Sequence, residues 1–104
     1  MVVSDPAFED IARRFATRTA DDRAQLDALR ASFEKSDPRA LHEVHQIMHR
    51  LAGAAGTFGW EGLSRSARSL TEALRAGESD TCERQQMLRA VLSEIDAMTR
   101  KSKR

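Results

Sequence analysis

Apolar residues recur every three or four positions along most of the chain, which is the spacing of helices buried on one side. The first such pattern predicts a helix over 6–34, either as one long helix or as two collinear helices joined near 17–21. Two polar residues, Thr19 and Asp22, occupy positions of its apolar stripe, and the spacing of three and four residues continues across them. Asp5 and Pro6 are a typical start, since Asp can cap free N–H groups and Pro suits the first helical position. The stripe comprises Phe8, Ala12, Phe15, Thr19, Asp22, Leu26, Leu29 and Phe33.

Three more helices follow, each with its own start or stop signal. Asp37, followed by a proline, begins the second, which runs to about Phe58, and a turn is predicted over 59–62. Gly77 supplies the usual stop for the third helix, and a Ser-Asp pair at 79–80 opens the fourth. Because short loops make neighbouring helices run antiparallel, the predicted fold class is all-α, an antiparallel up-and-down four-helix bundle. The inward positions are Leu41, Val44, Met48, Leu51 and Ala55; Leu63, Ala67, Leu70 and Leu74; and Met87, Leu88, Val91, Leu92, Ile95 and Met98.

Composition agrees with one small helical domain. The chain has 104 residues, of which 40% are hydrophobic, with only 5 Gly and 2 Pro, and this is too apolar for a disordered chain. Ala, Leu, Arg, Glu and Gln are abundant and favour helices over strands. We therefore expect a single domain over 1–104, with the helical bundle over about 5–98 and a basic C-terminal tail over 99–104. A bundle with no exposed apolar seam beyond its core is expected to be a monomer.

Charge and targeting signals narrow the possible functions. The 17 Lys and Arg residues nearly balance the 16 Asp and Glu residues, which argues against electrostatic capture of nucleic acid. No apolar run approaches the roughly 20 residues that a bilayer crossing requires, and the first residues do not look like a secretory signal. With one cysteine, Cys82, the chain cannot form an intrachain disulfide. We expect a cytoplasmic protein that binds neither membrane nor nucleic acid.

All three histidines of the chain lie on the second predicted helix. His42, His45 and His49 fall within a sector of roughly 60°, and this sector lies beside the apolar stripe rather than inside it. Their rings should therefore reach solvent. The residues that follow on the same face have almost no side chain, namely Ala52, Gly53 and Gly56.

The two helical glycines require an explanation, because each costs about 1 kcal/mol relative to Ala. Packing would place small residues on the buried stripe, whereas Gly53 projects with the histidines. We therefore interpret Gly53 as clearance for a bulky group on His49 more than as a packing contact. For Gly56, which lies nearer the boundary, clearance and packing are equally favoured.

An exposed imidazole on a helix favours phosphoryl-group chemistry. A free imidazole has a pKa near 6.5, so a neutral and nucleophilic form is available at cytoplasmic pH, and such a side chain can accept a phosphoryl group and return it. Acid–base hydrolysis would need a carboxylate or hydroxyl at a fixed spacing, and none stands out. No Gly-rich loop followed by Lys indicates a nucleotide site.

The stretch from His49 to Gly59 resembles the signature of histidine-containing phosphotransfer (HPt) domains. That signature reads His, any residue, an aliphatic residue, usually Lys, Gly, two small residues, a variable stretch, an apolar residue and Gly. Its position on the second helix of a bundle of roughly 100 residues extends the resemblance to the whole chain. The matching residues are His49, Leu51, Gly53, Ala54, Ala55, Phe58 and Gly59.

The resemblance implies that His49 is phosphorylated, through Nε2, and that Gly53 leaves the phosphoryl group accessible. It implies an intermediate of a multistep phosphorelay, which accepts a phosphoryl group from a receiver-domain aspartate and passes it to another. The implied partners are receiver domains of a hybrid histidine kinase, of response regulators, or of both. The resemblance implies that such a carrier is not an enzyme: it binds no nucleotide and does not phosphorylate itself. It is also expected to have no cofactor of its own, because the receiver supplies the Mg²⁺ that neutralises charge on the moving group.

One residue departs from the signature. Ala52 stands where similar domains usually have Lys, whose ammonium can balance phosphate charge. Arg50 is a poor substitute, since it points about 100° away from the histidine. On the third helix, Arg68 or Arg75 could supply the charge, although a merely solvated arginine-rich face is equally favoured.

The adjoining helix is also expected to contribute to the site. In similar domains a polar side chain of this helix often hydrogen-bonds the other ring nitrogen, and Thr71 could do so here. A receiver must lie flat across the second helix to reach the histidine. The expected docking face comprises His45, Ala52, Gly53 and Gly56 with Met48 at its edge, and its rim comprises Arg68, Thr71 and Arg75.

Two other interpretations are retained. His42, His45 and His49 could hold Zn²⁺ or Ni²⁺ along one helix face, although three ligands from one straight helix fit a tetrahedral ion poorly. A purely structural helical adaptor would explain the bundle but not the solvent-exposed position expected for His49.

Overall fold

Four α-helices account for nearly all of the described chain. The computed structural model describes residues 6–77 and 80–102. The helices are α1 (Pro6–Glu34), α2 (Pro38–Thr57), α3 (Glu61–Ala76) and α4 (Thr81–Ser102), and no strand occurs among these residues. The predicted all-α class is confirmed. Of the two alternatives for the first helix, one continuous helix is correct.

The capping signals read from the sequence are present where the chain is described. The carboxylate of Asp37 accepts a hydrogen bond from the backbone N–H three residues on, at 3.4 Å. Asp80 does the same at the start of α4, at 2.7 Å. Gly77 ends α3 with φ +70°, a left-handed conformation that costs glycine little. The predicted caps Asp5 and Ser79 lie outside the described residues.

Two boundaries differ from the prediction. The turn predicted over 59–62 is shorter, because α3 already begins at Glu61. The basic tail predicted over 99–104 is helical as far as Ser102, and the half-buried Thr99 donates its hydroxyl to the carbonyl one turn earlier, at 3.0 Å. The last two residues of the chain lie outside the described part.

The helices pack as a ring in chain order. α1 contacts α2 and α4, and α3 contacts the same two helices, so the described residues form an antiparallel four-helix bundle. The polar members of the α1 stripe, Thr19 and Asp22, are buried with 0% and 4% exposure, which shows that the stripe keeps its phase across them. An ion pair between Arg23 and Asp96, at 2.9 Å, joins α1 to α4 near the surface.

The α2–α3 contact is the most extensive of the four, and small residues bring these two helices together. Ala55 and Ala67 are fully buried there. The hydroxyl of Ser64 donates to the carbonyl oxygen of Ala52 at 2.8 Å, which ties α3 to α2 next to the glycines. α3 therefore lies alongside the histidine-bearing face of α2.

Candidate functional site

The neighbours of His49 on α2 point in different directions. His49 is exposed, whereas Met48 has 0% exposure and lies in the core. The prediction that Met48 borders the docking face is therefore wrong. One step along a helix turns a side chain by about 100°, and here that turn carries Met48 inward.

An open groove of about 370 Å³ runs between α2 and α3 beside His49. It brings together most of the residues expected at the site from the two helices. His45 and Gly56 do not line it: His45 is half-buried further up α2, and His42 beyond it is exposed. The lining residues are His49, Ala52 and Gly53 of α2 and Arg68, Thr71, Glu72 and Arg75 of α3.

Glu72 is the one member of this groove that the sequence analysis missed. It lies four residues after Arg68 and three before Arg75, a spacing that places all three side chains on one face of a helix. This spacing could have grouped Glu72 with the two arginines, although it does not show which helix their shared face adjoins. The groove thus contains two cationic side chains and one carboxylate.

The two helical glycines of α2 have different surroundings. A Cβ atom built on Gly53 would have no neighbour within 4 Å, so the helix surface beside His49 is open. A Cβ atom on Gly56 would lie 3.4 Å from the hydroxyl oxygen of Ser64, which places Gly56 at the α2–α3 packing contact. The surroundings of Gly53 are therefore consistent with clearance and show no packing contact, whereas the absence of a side chain at Gly56 allows α3 to approach.

Thr71 is buried at the groove, with 9% exposure. Its hydroxyl proton is donated to the carbonyl of Ala67 at 2.9 Å, and no hydrogen bond to His49 occurs among the described residues. The Thr71 oxygen keeps the capacity to accept a hydrogen bond from an imidazole N–H.

The cation nearest to His49 in sequence is used elsewhere. Arg50 donates to the carboxylate of Asp22 on α1 at 2.6 Å, in agreement with its predicted direction. Burial raises the pKa of Asp22 by more than the positive charges of Arg50 and Arg18 lower it. Arg50 is therefore engaged with a buried carboxyl group and directed away from the groove.

The groove's own charged side chains are unpaired within the described part of the chain. Arg68, Glu72 and Arg75 are all exposed, and none of them has an ion-pair partner within 4 Å there. They are therefore available to a group that is added to His49.

The histidines do not assemble into a metal centre. Across residues 6–77 and 80–102, no group of three His, Cys, Asp or Glu side chains is placed so that it could hold a metal ion. The metal-binding interpretation thus has no geometric support in that part of the chain.

None of the helices in the described residues has an apolar stretch long enough to span a bilayer.

Comparison with known families gives one match that covers most of the chain. Residues 10–98, which include parts of all four helices, match the family model described as Hpt domain. The chain belongs to the Hpt domain family. No curated protein and no solved structure matches it. Hpt domains are phosphocarrier modules, not kinases, and they interact with receiver or response-regulator partners in phosphorelays.

Proposed function

We propose that this Hpt domain accepts a phosphoryl group on His49 from a receiver-domain aspartate and passes it to the aspartate of another response regulator. The observation that carries the proposal is the exposed imidazole at an open groove. A Cβ atom built on the neighbouring Gly53 would have no other part of the protein within 4 Å, apart from its own stretch of helix. A receiver can approach such a histidine across a helix surface that carries no side chain at Gly53.

The chemistry requires a neutral imidazole and a clear line of approach. The Nε2 lone pair attacks phosphorus, the bond between phosphorus and the aspartate oxygen breaks, and the carboxylate leaves. In the second transfer a receiver carboxylate attacks phosphorus and the N–P bond breaks, which returns the imidazole to its neutral form. The proton on Nδ1 stays in place throughout, and the hydroxyl oxygen of Thr71, which lines the same groove, can accept a hydrogen bond from it. The receiver supplies the Mg²⁺.

Arg68 and Arg75 take the part that a Lys at position 52 would otherwise have. Ala52 brings no charge to the groove, and Arg50 is engaged with Asp22. The two arginines of α3 line the groove and are unpaired among the described residues. Their guanidinium groups can donate hydrogen bonds to phosphoryl oxygens and balance their charge.

The docking face for a receiver is the small-residue surface of α2 and the adjoining edge of α3. Transient signalling contacts are small, and an aspartate reaches His49 only if the receiver lies across this surface. The partners are receiver domains of a hybrid kinase, of response regulators, or of both, and the domain acts as a monomer. The face comprises His45, Ala52, Gly53 and Gly56, with Arg68, Thr71 and Arg75 at its rim.

Phosphoryl transfer from a labelled receiver tests the proposal directly. The purified domain is incubated with a receiver carrying ³²P on its aspartate, and we expect an acid-labile, base-stable label that peptide mapping locates at His49. Stoichiometric Zn²⁺ should leave its thermal stability unchanged. Absence of label with every receiver tested, or label on another residue, would contradict the assignment.

A further inference from the structure

Three charged side chains of α3 face the same groove as His49. Arg68, Glu72 and Arg75 are exposed, line the groove together and have no ion-pair partner among the described residues. Neither arginine is held by Glu72 within 4 Å. All three side chains can therefore respond to a new charge in the groove.

A phosphoryl group on His49 would be that new charge. A side-chain phosphoryl group carries close to two negative charges near neutral pH. Two guanidinium groups of the groove attract it, and the carboxylate of Glu72 repels it. Because α2 contributes no free cation beside His49, the balance among these three residues decides the electrostatic free energy of the phosphorylated state.

We propose that Glu72 raises the free energy of the phosphohistidine by opposing Arg68 and Arg75, and so shifts the transfer equilibrium from His49 toward the receiver. The inference rests on the proposed function of His49. In the transfer concerned, the receiver carboxylate attacks phosphorus, the N–P bond breaks and neutral imidazole leaves. Glu72 is a tuning residue in this step, since it exchanges neither proton nor phosphoryl group.

Substitution of Glu72 should shift the phosphoryl-transfer equilibrium in a defined direction and by a defined amount. Glu72→Gln should shift the equilibrium toward phosphorylated His49 by about fivefold, which equals about 1 kcal/mol, the scale of one charge interaction in a solvated groove. Arg68→Gln and Arg75→Gln should shift it in the opposite direction. All of these shifts should shrink in 1 M salt, where the Debye length falls to about 3 Å.

The matched control is Glu61→Gln. Glu61 is exposed, belongs to the same helix and lies on nearly the same face, about three turns or roughly 16 Å from Glu72. Glu61 does not line the groove of His49, and a displacement of this size along the helix exceeds the Debye length of about 8 Å at physiological salt, so the same change of charge should leave the equilibrium nearly unaltered.

The test uses two phosphoryl donors, of which phosphoramidate makes one arm independent of the receiver. Phosphoramidate, at a fixed ratio to ammonia, transfers its phosphoryl group to imidazole nitrogen with loss of ammonia, and the phosphorylated fraction of His49 is read by peptide mass spectrometry. The same fraction is measured at equilibrium with a phosphorylated receiver. In both arms the phosphorylated fraction of His49 should be higher in Glu72→Gln than in the wild type, and lower in the two arginine variants.

Several results would overturn the inference. They are an unchanged equilibrium in Glu72→Gln, a shift in the direction of the arginine variants, or a shift that persists in 1 M salt. If His49 accepts phosphate from phosphoramidate but from no receiver, the proposed function fails, while the phosphoramidate arm still decides the role of Glu72. If His49 accepts phosphate from neither donor, both proposals are wrong.

Discussion

The two flanks of α2 differ in how their polar groups are used. On the flank toward α1, Arg50 binds the buried carboxylate of Asp22, and this contact leaves neither group free. On the flank toward α3, His49 and the space beside Gly53 are open, and the charged side chains across the groove are unpaired among the described residues. One flank contributes to the packing of the bundle and the other remains accessible to a partner.

The closed flank also shows that an ion pair need not be strongly stabilising. The pKa of Asp22 is raised because burial disfavours its charged form by more than Arg50 and Arg18 favour it. A buried carboxylate that is incompletely compensated contributes little net free energy, but removal of its partner is costly. The difference between the flanks is therefore one of access and pairing, and it can be tested residue by residue.

The largest expected effect is on the open flank, at His49 itself. His49→Gln should reduce label uptake from a phosphorylated receiver below detection, since glutamine offers no nucleophilic nitrogen. The melting temperature and helical circular dichroism should stay almost unchanged, because the ring is exposed. His45→Gln is the control on the same face. Loss of uptake in His45→Gln together with normal uptake in His49→Gln would show that the active histidine is misassigned.

The next effect tests whether the space at Gly53 is functional. Gly53→Gln should slow transfer at least tenfold, about 1.4 kcal/mol of barrier, by excluding the receiver. It should keep or raise the melting temperature, because glycine is the poorer helix former and no atom lies within 4 Å of the new Cβ.

The short side chain of Gly53→Ala provides the matched control for that experiment. It should raise the free energy of unfolding by up to about 1 kcal/mol and leave transfer nearly unchanged. A Gly53→Gln variant that is destabilised and yet transfers at the normal rate would show that Gly53 is required for packing, and the open flank would have to be redefined.

The closed flank should respond in the opposite manner. Arg50→Ala should lower the free energy of unfolding by about 1–2 kcal/mol, because it leaves Asp22 buried without its partner. The loss of stability is smaller than for a fully buried ion pair, because Asp22 can be protonated and the Arg50 side chain is partly exposed. Urea denaturation measures the change, with Arg65→Ala at an exposed site of α3 as the control. Transfer should stay within about twofold of the wild type; a larger loss would mean that Arg50 acts on His49 after all.

The smallest effect is the pH dependence of the same flank. Because the pKa of Asp22 is raised above 3.8 in the folded protein, the folded state binds this proton more tightly than the unfolded state. The stability of the wild type relative to Asp22→Asn should therefore be greatest at pH values below about 3.8 and fall as the pH rises through the raised pKa. Urea denaturation of both proteins across this range measures the difference, and a difference that grows with pH would contradict the assignment.

The fold followed from local signals that need no knowledge of the partner helices. The apolar period identified four helices, Asp37 and Gly77 marked ends that the structure confirms, and the stripe of α1 kept its phase through Thr19 and Asp22. The sequence does not show whether α1 is continuous, because two polar residues within a stripe look the same whether a neighbouring helix buries them or solvent covers them.

The candidate site was predictable in part. The signature from His49 to Gly59 is a contiguous stretch, so it was readable before any packing was known. Met48 lies in the core, as its position in the apolar stripe predicts, and only its assignment to the edge of the docking face was wrong. Glu72 was missed because the extent of a helix's exposed sector depends on how closely the neighbouring helices approach.

The helices, the caps at Asp37 and Gly77 and the histidine motif could be recognised from the chain alone, since each depends on residues only a few positions apart. The pairing of Arg50 with Asp22, and the groove that Glu72 shares with His49, became known only from the packed bundle. Their side chains lie on different helices, so their distances depend on how those helices pack, which spacing along one helix cannot specify.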